Sequence, residues 1–280
     1  MRDLATRITE AASTLSPAAR RVAEVMLTDP STAAFATVAE VGERAHTSGA
    51  TVVRLAERLG YDGWVDLQAQ ARALVDQQLR PAAQRIRETA AGDVLAATAT
   101  READNVHRTL ADVDRQDFDR AVALLADRRR PVRVIAGDAE AGIGSLLVDS
   151  LDLLRPDVLL VSGSPVSVTR RLATGDRDVV VAIDLRRYER WVLDAVTTAT
   201  SAGAAVVAIT DSQLSPLAQA ASVTFVVTAE GAGPFDSHVG THALANALAN
   251  GVAAKLRANA ASRIDRVEHA WRQAVALTEE

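Results

Sequence analysis

The order of apolar and polar positions divides the chain into two regimes. Over residues 1–80 the apolar residues recur at helical spacing. Ser16-Pro17 is a start signal, a capping side chain followed by proline at the first helical position. Ala18, Val22, Val25 and Met26 then form an i, i+4, i+7, i+8 stripe that stops before Pro30. Thr37-Val38-Ala39-Glu40 reads as a capping box opening a short helix to about Ala45. His46-Thr47-Ser48 predicts a tight turn, and the next helix runs from about Gly49 to Leu59 and closes at Gly60. A further helix starts near Asp62 and is expected to bury Leu67, Ala71, Leu74 and Val75, with Pro81 ending the block. Residues 84–127 predict two more helices, separated at Asp114 to Asp117.

From Pro131 the period changes. VRVIAG (132–137), DVLLVS (157–162), DVVVAIDL (178–185), AAVVAIT (204–210) and VTFVVTA (223–229) are apolar, β-branched runs with helical stretches between them. Strands apolar on both faces and alternating with helices predict a parallel sheet covered on both sides. Such sheets bind ligands at the carboxyl ends of their strands, near the topological switch point. The expected architecture is an all-α helix-turn-helix domain over 1–80, a helical connector over 81–130, and an α/β domain over 131–280 ending in a helix.

On a helical wheel, Val52, Leu55, Ala56 and Leu59 form a buried stripe in the helix after the turn, opposite Thr47, Ala50, Thr51, Arg54 and Arg58. Small residues at the N-terminal end of that exposed face suit entry into a DNA major groove, and the arginines further along reach phosphates or guanine edges. Ser48 and the free N–H groups at the helix start suit a phosphate. A solvated arginine face on a small helical bundle is the alternative that spacing alone leaves open.

Composition narrows the picture. Of 280 residues, 48% are hydrophobic and 24% charged, the balance of a folded globular chain. The absence of cysteine excludes disulfides, thiolate metal sites and sulfur catalysis. The start, MRDLATRITEAAS, lacks the apolar core of a signal peptide, and no stretch approaches a membrane span, so a cytoplasmic protein without membrane attachment is expected. A net charge of −5 argues against a uniformly basic nucleic-acid binder. Residues 1–80 hold nine Arg against ten Asp plus Glu, so any DNA contact must come from charge gathered on one face.

The segments LSPAARRVAEVMLTDP and FATVAEVGERAHTSGATVVRLAERLGYDGWVDLQ resemble the N-terminal domain of the RpiR/MurR family of bacterial transcriptional regulators. The likeness includes Ser48 and Ala50 to Arg54, the Arg58-to-Gly60 ending, and Tyr61, Gly63, Trp64 and Leu67. It implies that the second helix of the motif enters the major groove of a palindromic operator. By position, Thr47, Ser48, Ala50, Thr51 and Arg54 then contact double-stranded DNA, with Arg58 on phosphate. It also implies a sugar isomerase (SIS) domain with flavodoxin-like strand order, resembled most clearly by GAAVVAITDSQLSPLAQAAS and the preceding DVVVAIDL. The effector implied is a small anionic metabolite, a sugar phosphate or sugar acid, and the assembly a homodimer or homotetramer. No cofactor is expected.

The loops that hold phosphate in the family are altered. Its G-x-G-x-S stands here as Gly137-Asp138-Ala139-Glu140-Ala141, and its serine-rich turn as Asp184-Leu185-Arg186-Arg187-Tyr188-Glu189. Asp138, Glu140 and Asp184 would repel a phosphate. Arg186 and Arg187 offer a bidentate clamp with Tyr188 as a further donor, unless one of them simply pairs with Asp184 or Glu189. In GAGPFDSHVGTH (231–242), Ser237 and His238 fall beside the strand ends, Ser237 equally suited to capping the next helix. His238 and His242 have i, i+4 spacing but no third ligand, so no metal is expected. Two other functions stay open: a sugar-phosphate isomerase using Glu140, Glu230 or His238 as base, and a DNA-binding protein whose α/β domain only dimerises.

Overall fold

The helical periodicity of the first regime is realised in a computed structural model, which describes residues 4–11, 14–28, 30–79, 82–88, 92–213 and 215–276. The chain divides into two units, Met1–Gln84 and Arg85–Glu280. The first contains α1 (Leu4–Ala11), α2 (Pro17–Thr28), α3 (Pro30–Phe35), α4 (Val38–Arg44), α5 (Gly49–Arg58) and α6 (Gly63–Leu79). α2 starts at the anticipated signal, with the Ala19 N–H donating to Ser16 Oγ at 3.3 Å. Its deepest side chains are Ala19, Val22, Ala23 and Met26, whereas Ala18 and Val25 are half-buried. The buried stripe is thus wider than the one read from spacing.

α3 was not anticipated, since six residues are too few to show a period. It is held from outside: Arg72 Nε donates to the Ala34 carbonyl at 2.6 Å and Gln68 Nε2 to that of Ala36 at 2.7 Å. The capping box at Thr37 is present, with the Thr37 N–H donating to Glu40 Oε2 and the Glu40 N–H to Thr37 Oγ1. α6 buries Trp64, Leu67 and Ala71. The side chains of Leu74 and Val75, and all of Pro81, lie outside the described residues.

α7 (Ala82–Glu88) includes the division between the units, and α8 (Val94–Ala111) and α9 (Arg115–Ala126) follow in the second. Strands and helices then alternate: β1 (Val132–Ala136), α10 (Ala141–Leu154), β2 (Val158–Leu160), α11 (Pro165–Leu172), β3 (Val179–Ile183), α12 (Arg190–Ser201), β4 (Ala205–Thr210), α13 (Pro216–Ala220) and β5 (Val223–Val226). α14 (Val239–Gln273) follows, broken at Arg257 by a φ of 31°. All strand pairs are parallel, in the order β2-β1-β3-β4-β5, the flavodoxin-like arrangement. Every residue of β3 is buried, as its unbroken apolar run requires.

Alternate residues of the strands feed two cores. Val134, Val181 and Ile209 face α9, α10 and α14, while Ile135, Val180 and Ala208 face α11, α12 and α13. The stretch read as a connector supplies α8 and α9, which pack along α14. Arg155, fully buried after α10, ties the α9–β1 turn: Nη1 donates to the carbonyls of Leu125 and Asp127 at 2.6 and 3.1 Å, and Nη2 to that of Arg130. The chain reverses direction across the sheet between β1 and β3, so the switch point lies at Gly137 and Asp184. No described helix is long and apolar enough to cross a membrane.

Candidate nucleic-acid interface and candidate effector site

The turn between α4 and α5 depends on close backbone approach. A Cβ on Gly42 would lie 3.0 Å from the Thr47 carbonyl oxygen and 3.2 Å from the Gly49 nitrogen. Arg21, on α2, clamps the turn by donating from Nε to the Ala45 carbonyl at 3.0 Å and from Nη2 to that of His46 at 3.2 Å. At the far end of α5, Arg7 donates to the carbonyls of Leu59 and Gly60 and lies over the Tyr61 ring, 4.4 Å from its centroid. Gly60 has φ 84°, a left-handed conformation that ends the helix without a Cβ penalty.

α5 is therefore fixed at both ends while one face stays outside. Val52, Leu55, Ala56 and Leu59 are buried, each Val or Leu contributing roughly 1.5–3 kcal/mol to the unit's stability. Ser48, Ala50, Arg54 and Arg58 are exposed, and Thr47 and Thr51 half-buried. Ser48 occupies the N-cap position without a capping hydrogen bond; its hydroxyl lies 3.2 Å from Thr51 Oγ1, which also receives one from Thr47 at 3.2 Å. Arg54 Nε donates to the Ala50 carbonyl at 3.2 Å.

In the second unit the strand ends gather acids. A point one carbon bond out from Gly137 lies 2.7 Å from Glu140 Oε2, 2.8 Å from Asp184 Oδ1 and 3.1 Å from Glu189 Oε1. These oxygens are thus within about 6 Å of one another, where two bare charges repel by roughly 3 kcal/mol at a partly buried site. Glu189 is well provided with donors: the Asp138 N–H at 2.6 Å and Trp191 Nε1. Asp184 accepts from the Glu189 N–H at 2.7 Å. Burial, then repulsion from Asp184, pushes the Glu140 carboxyl up to about 7. Burial likewise raises Asp184 to about 7, with Glu189 and Asp211 adding repulsion. Asp138 itself is exposed.

Arg186 and Tyr188 have partners here, though not those anticipated. The Arg186 guanidinium lies 3.2 Å from Asp211 Oδ2 and 3.9 Å from Asp236 Oδ2. Tyr188 donates to Asp211 Oδ1 at 2.8 Å, and burial, with that carboxylate beside it, raises the phenol well above its ordinary range. Arg187 is exposed, on a left-handed backbone (φ 71°). Asp211 thus belongs to this cluster; Ser215-Pro216 starts α13, Ser215 Oγ accepting from the Ala218 N–H.

Sequence spacing concealed the part played by α8. Asn105 Nδ2 donates to the Glu230 carbonyl at 2.8 Å, Thr109 Oγ1 accepts from the Thr228 N–H at 2.9 Å, and Arg101 pairs with Glu230 at 2.6 Å. Ser237 donates to Glu102 and accepts from the Val239 N–H at 3.2 Å, so it combines a capping role with a tie to α8. Arg85 of α7 pairs with Asp236 at 2.6 Å. These contacts set His238 with Nδ1 3.5 Å from Glu140 Oε1. Among the described residues no cluster of His, Cys, Asp or Glu has the arrangement of a metal site. Of the weighed bases, Glu140 and His238 meet, whereas Glu230 is engaged with Arg101 and Arg108.

A capped helix-turn-helix joined to a doubly wound parallel sheet defines a two-domain transcription regulator, and comparison with known proteins agrees. Residues 2–77 match the helix-turn-helix domain of the rpiR family, and residues 158–251 match the SIS domain. The chain thus carries a helix-turn-helix domain of the rpiR family and, after it, a SIS domain. It is 23% identical over 236 residues to an uncharacterized HTH-type transcriptional regulator of Caldanaerobacter subterraneus subsp. tengcongensis, covering 82% of each chain. The sugar isomerase domain of an RpiR transcription factor from Sphaerobacter thermophilus is 26% identical, with a TM-score of 0.58 over 64% of this chain and 99% of that one. The Vibrio vulnificus NanR protein, solved in complex with ManNAc-6P, shares the fold at 20% identity and a TM-score of 0.58, over 96% of this chain and 98% of its own.

Proposed function

We propose that this regulator reads a two-fold operator with the outer face of α5 and that a small metabolite bound at the strand ends of the second unit changes its affinity for DNA. The observation that carries the reading is that face: Ala50, Arg54 and Arg58 stand exposed while the opposite side of the helix is locked in the core. Thr47, Ser48, Ala50, Thr51 and Arg54 are assigned to the major groove and Arg58 to phosphate. A palindromic operator requires paired reading helices, so the chain acts as a homodimer or a dimer of dimers. The strand ends, lined by Gly137, Asp138, Arg186, Arg187, Tyr188, Ser237 and His238, are the effector site by the switch-point rule. An anionic group on the effector belongs at the arginine side of this site, away from Glu140 and Asp184. The ligand acts only through a difference in its affinity for the DNA-bound and free forms.

The test is operator binding by the full chain, with the operator found by footprinting upstream of its own and neighbouring genes. Arg54→Ala is expected to abolish specific binding and Arg186→Ala to preserve it. Specific binding that survives Arg54→Ala unchanged removes α5 as the reading head.

A further inference from the structure

We propose that the strand-end site takes a primary ammonium group, so that the effector is an amine-bearing metabolite rather than a sugar phosphate without an amine. This deepens the effector reading above and rests on it. The position where a phosphate would be expected, over Gly137, is ringed by oxygens of Glu140, Asp184 and Glu189 at 2.7 to 3.1 Å from one point. A phosphate dianion entering there adds charge of the same sign to a partly desolvated site.

Two further observations point to a missing donor. The Glu140 side chain is 4% exposed and aimed into the cluster, yet apart from its own backbone N–H its nearest donor is His238 Nδ1 at 3.5 Å. That nitrogen is itself buried without a hydrogen-bond partner. An ammonium group supplies three N–H donors and a positive charge in one compact centre. It offsets the repulsion between Glu140 and Asp184. A metal ion is a poorer match, because the described residues form no metal-binding cluster.

The experiment uses the full chain and matched probes: ethanolamine against ethylene glycol, and 2-amino-2-deoxyhexoses against the parent hexoses, each sugar with and without a 6-phosphate. Thermal shift and calorimetric titration are run at pH 6 and pH 8. At least one amine is expected to stabilise the protein while its hydroxyl twin does not. Glu140→Gln and Asp184→Asn are expected to weaken that amine at least about tenfold, the loss of one charge-assisted hydrogen bond. Cooperative melting of both variants establishes that they fold. The proposal is overturned if no amine binds, if phosphorylated hydroxyl sugars bind as well as their amine twins, or if amine affinity is unchanged in Glu140→Gln and Asp184→Asn. A sugar phosphate without an amine that binds and alters operator affinity would sink this proposal while leaving the regulator reading intact; absence of specific operator binding by the ligand-free chain would sink the reading itself.

Discussion

Replacing Glu140 by glutamine should make the protein more stable above about pH 7 and leave it unchanged below about pH 4. Gln keeps the shape of the protonated carboxyl and removes its charge. In the unfolded chain Glu140 loses its proton near 4.5; in the fold it holds the proton up to about 7. Between these values the folded state binds more protons than the unfolded state, so the wild-type protein loses stability as pH rises through about 7. The full difference corresponds to about 3 kcal/mol. Asp184 is raised to about 7 by burial, with Glu189 and Asp211 adding repulsion, and the two acids share part of the cost. That leaves ~1–2 kcal/mol for one substitution, or roughly 3–6 °C in the melting temperature of a unit this size. The assay is thermal and urea melting of both proteins from about pH 4 to about pH 9, without added ligand. The gap between them should be near zero at about pH 4, open between about 4.5 and 7, and level off above that. A gap independent of pH, or a variant less stable than wild type at pH 8, would refute the claim that these carboxyls are forced together in the fold.

Four other outcomes follow from the geometry. Gly42→Val drives a side chain into the Thr47 carbonyl, and should cost the helical unit about 1–3 kcal/mol and operator binding with it, read by melting and gel shift. Arg155→Met leaves the carbonyls of Leu125, Asp127 and Arg130 without their donor, and denaturant unfolding should register a loss of roughly 3–5 kcal/mol. Arg58→Ala should weaken binding to all sequences alike and lower the slope of log affinity against log salt by about 1. Thr51→Val, by contrast, should change which bases are preferred at one position of each half-site, measured by binding to a randomised operator, with its salt slope unaltered.

What the sequence disclosed and what it hid have a common physical basis. Local signals were legible: the Thr37–Glu40 box, the Ser16-Pro17 start, the buried stripe from Val52 to Leu59, and the apolar runs that became five parallel strands. Each is decided within a few residues by backbone capping or by one repeating period. The carboxylate ring was visible only as separate acids, because Glu189 meets the Asp138 amide 51 positions away. Arg186 was placed correctly at the strand end, but its partners, Asp211 and Asp236, come from different loops. Arg155 gave no sign of its role, since an arginine that binds only backbone carbonyls needs no matching acid in the sequence. The contacts of α8 with the loop after β5 span well over a hundred positions, and no period records them.

That last set of contacts has a mechanical consequence. Hydrogen bonds weaken steeply once stretched by about 1 Å, so the segment from Thr228 to Ser237 cannot slide over α8 without breaking several at once. Gly240 leaves no slack either, its missing Cβ being the only room between the start of α14 and Thr109. Anything that draws this loop inward must therefore either break these hydrogen bonds or carry α8 with it.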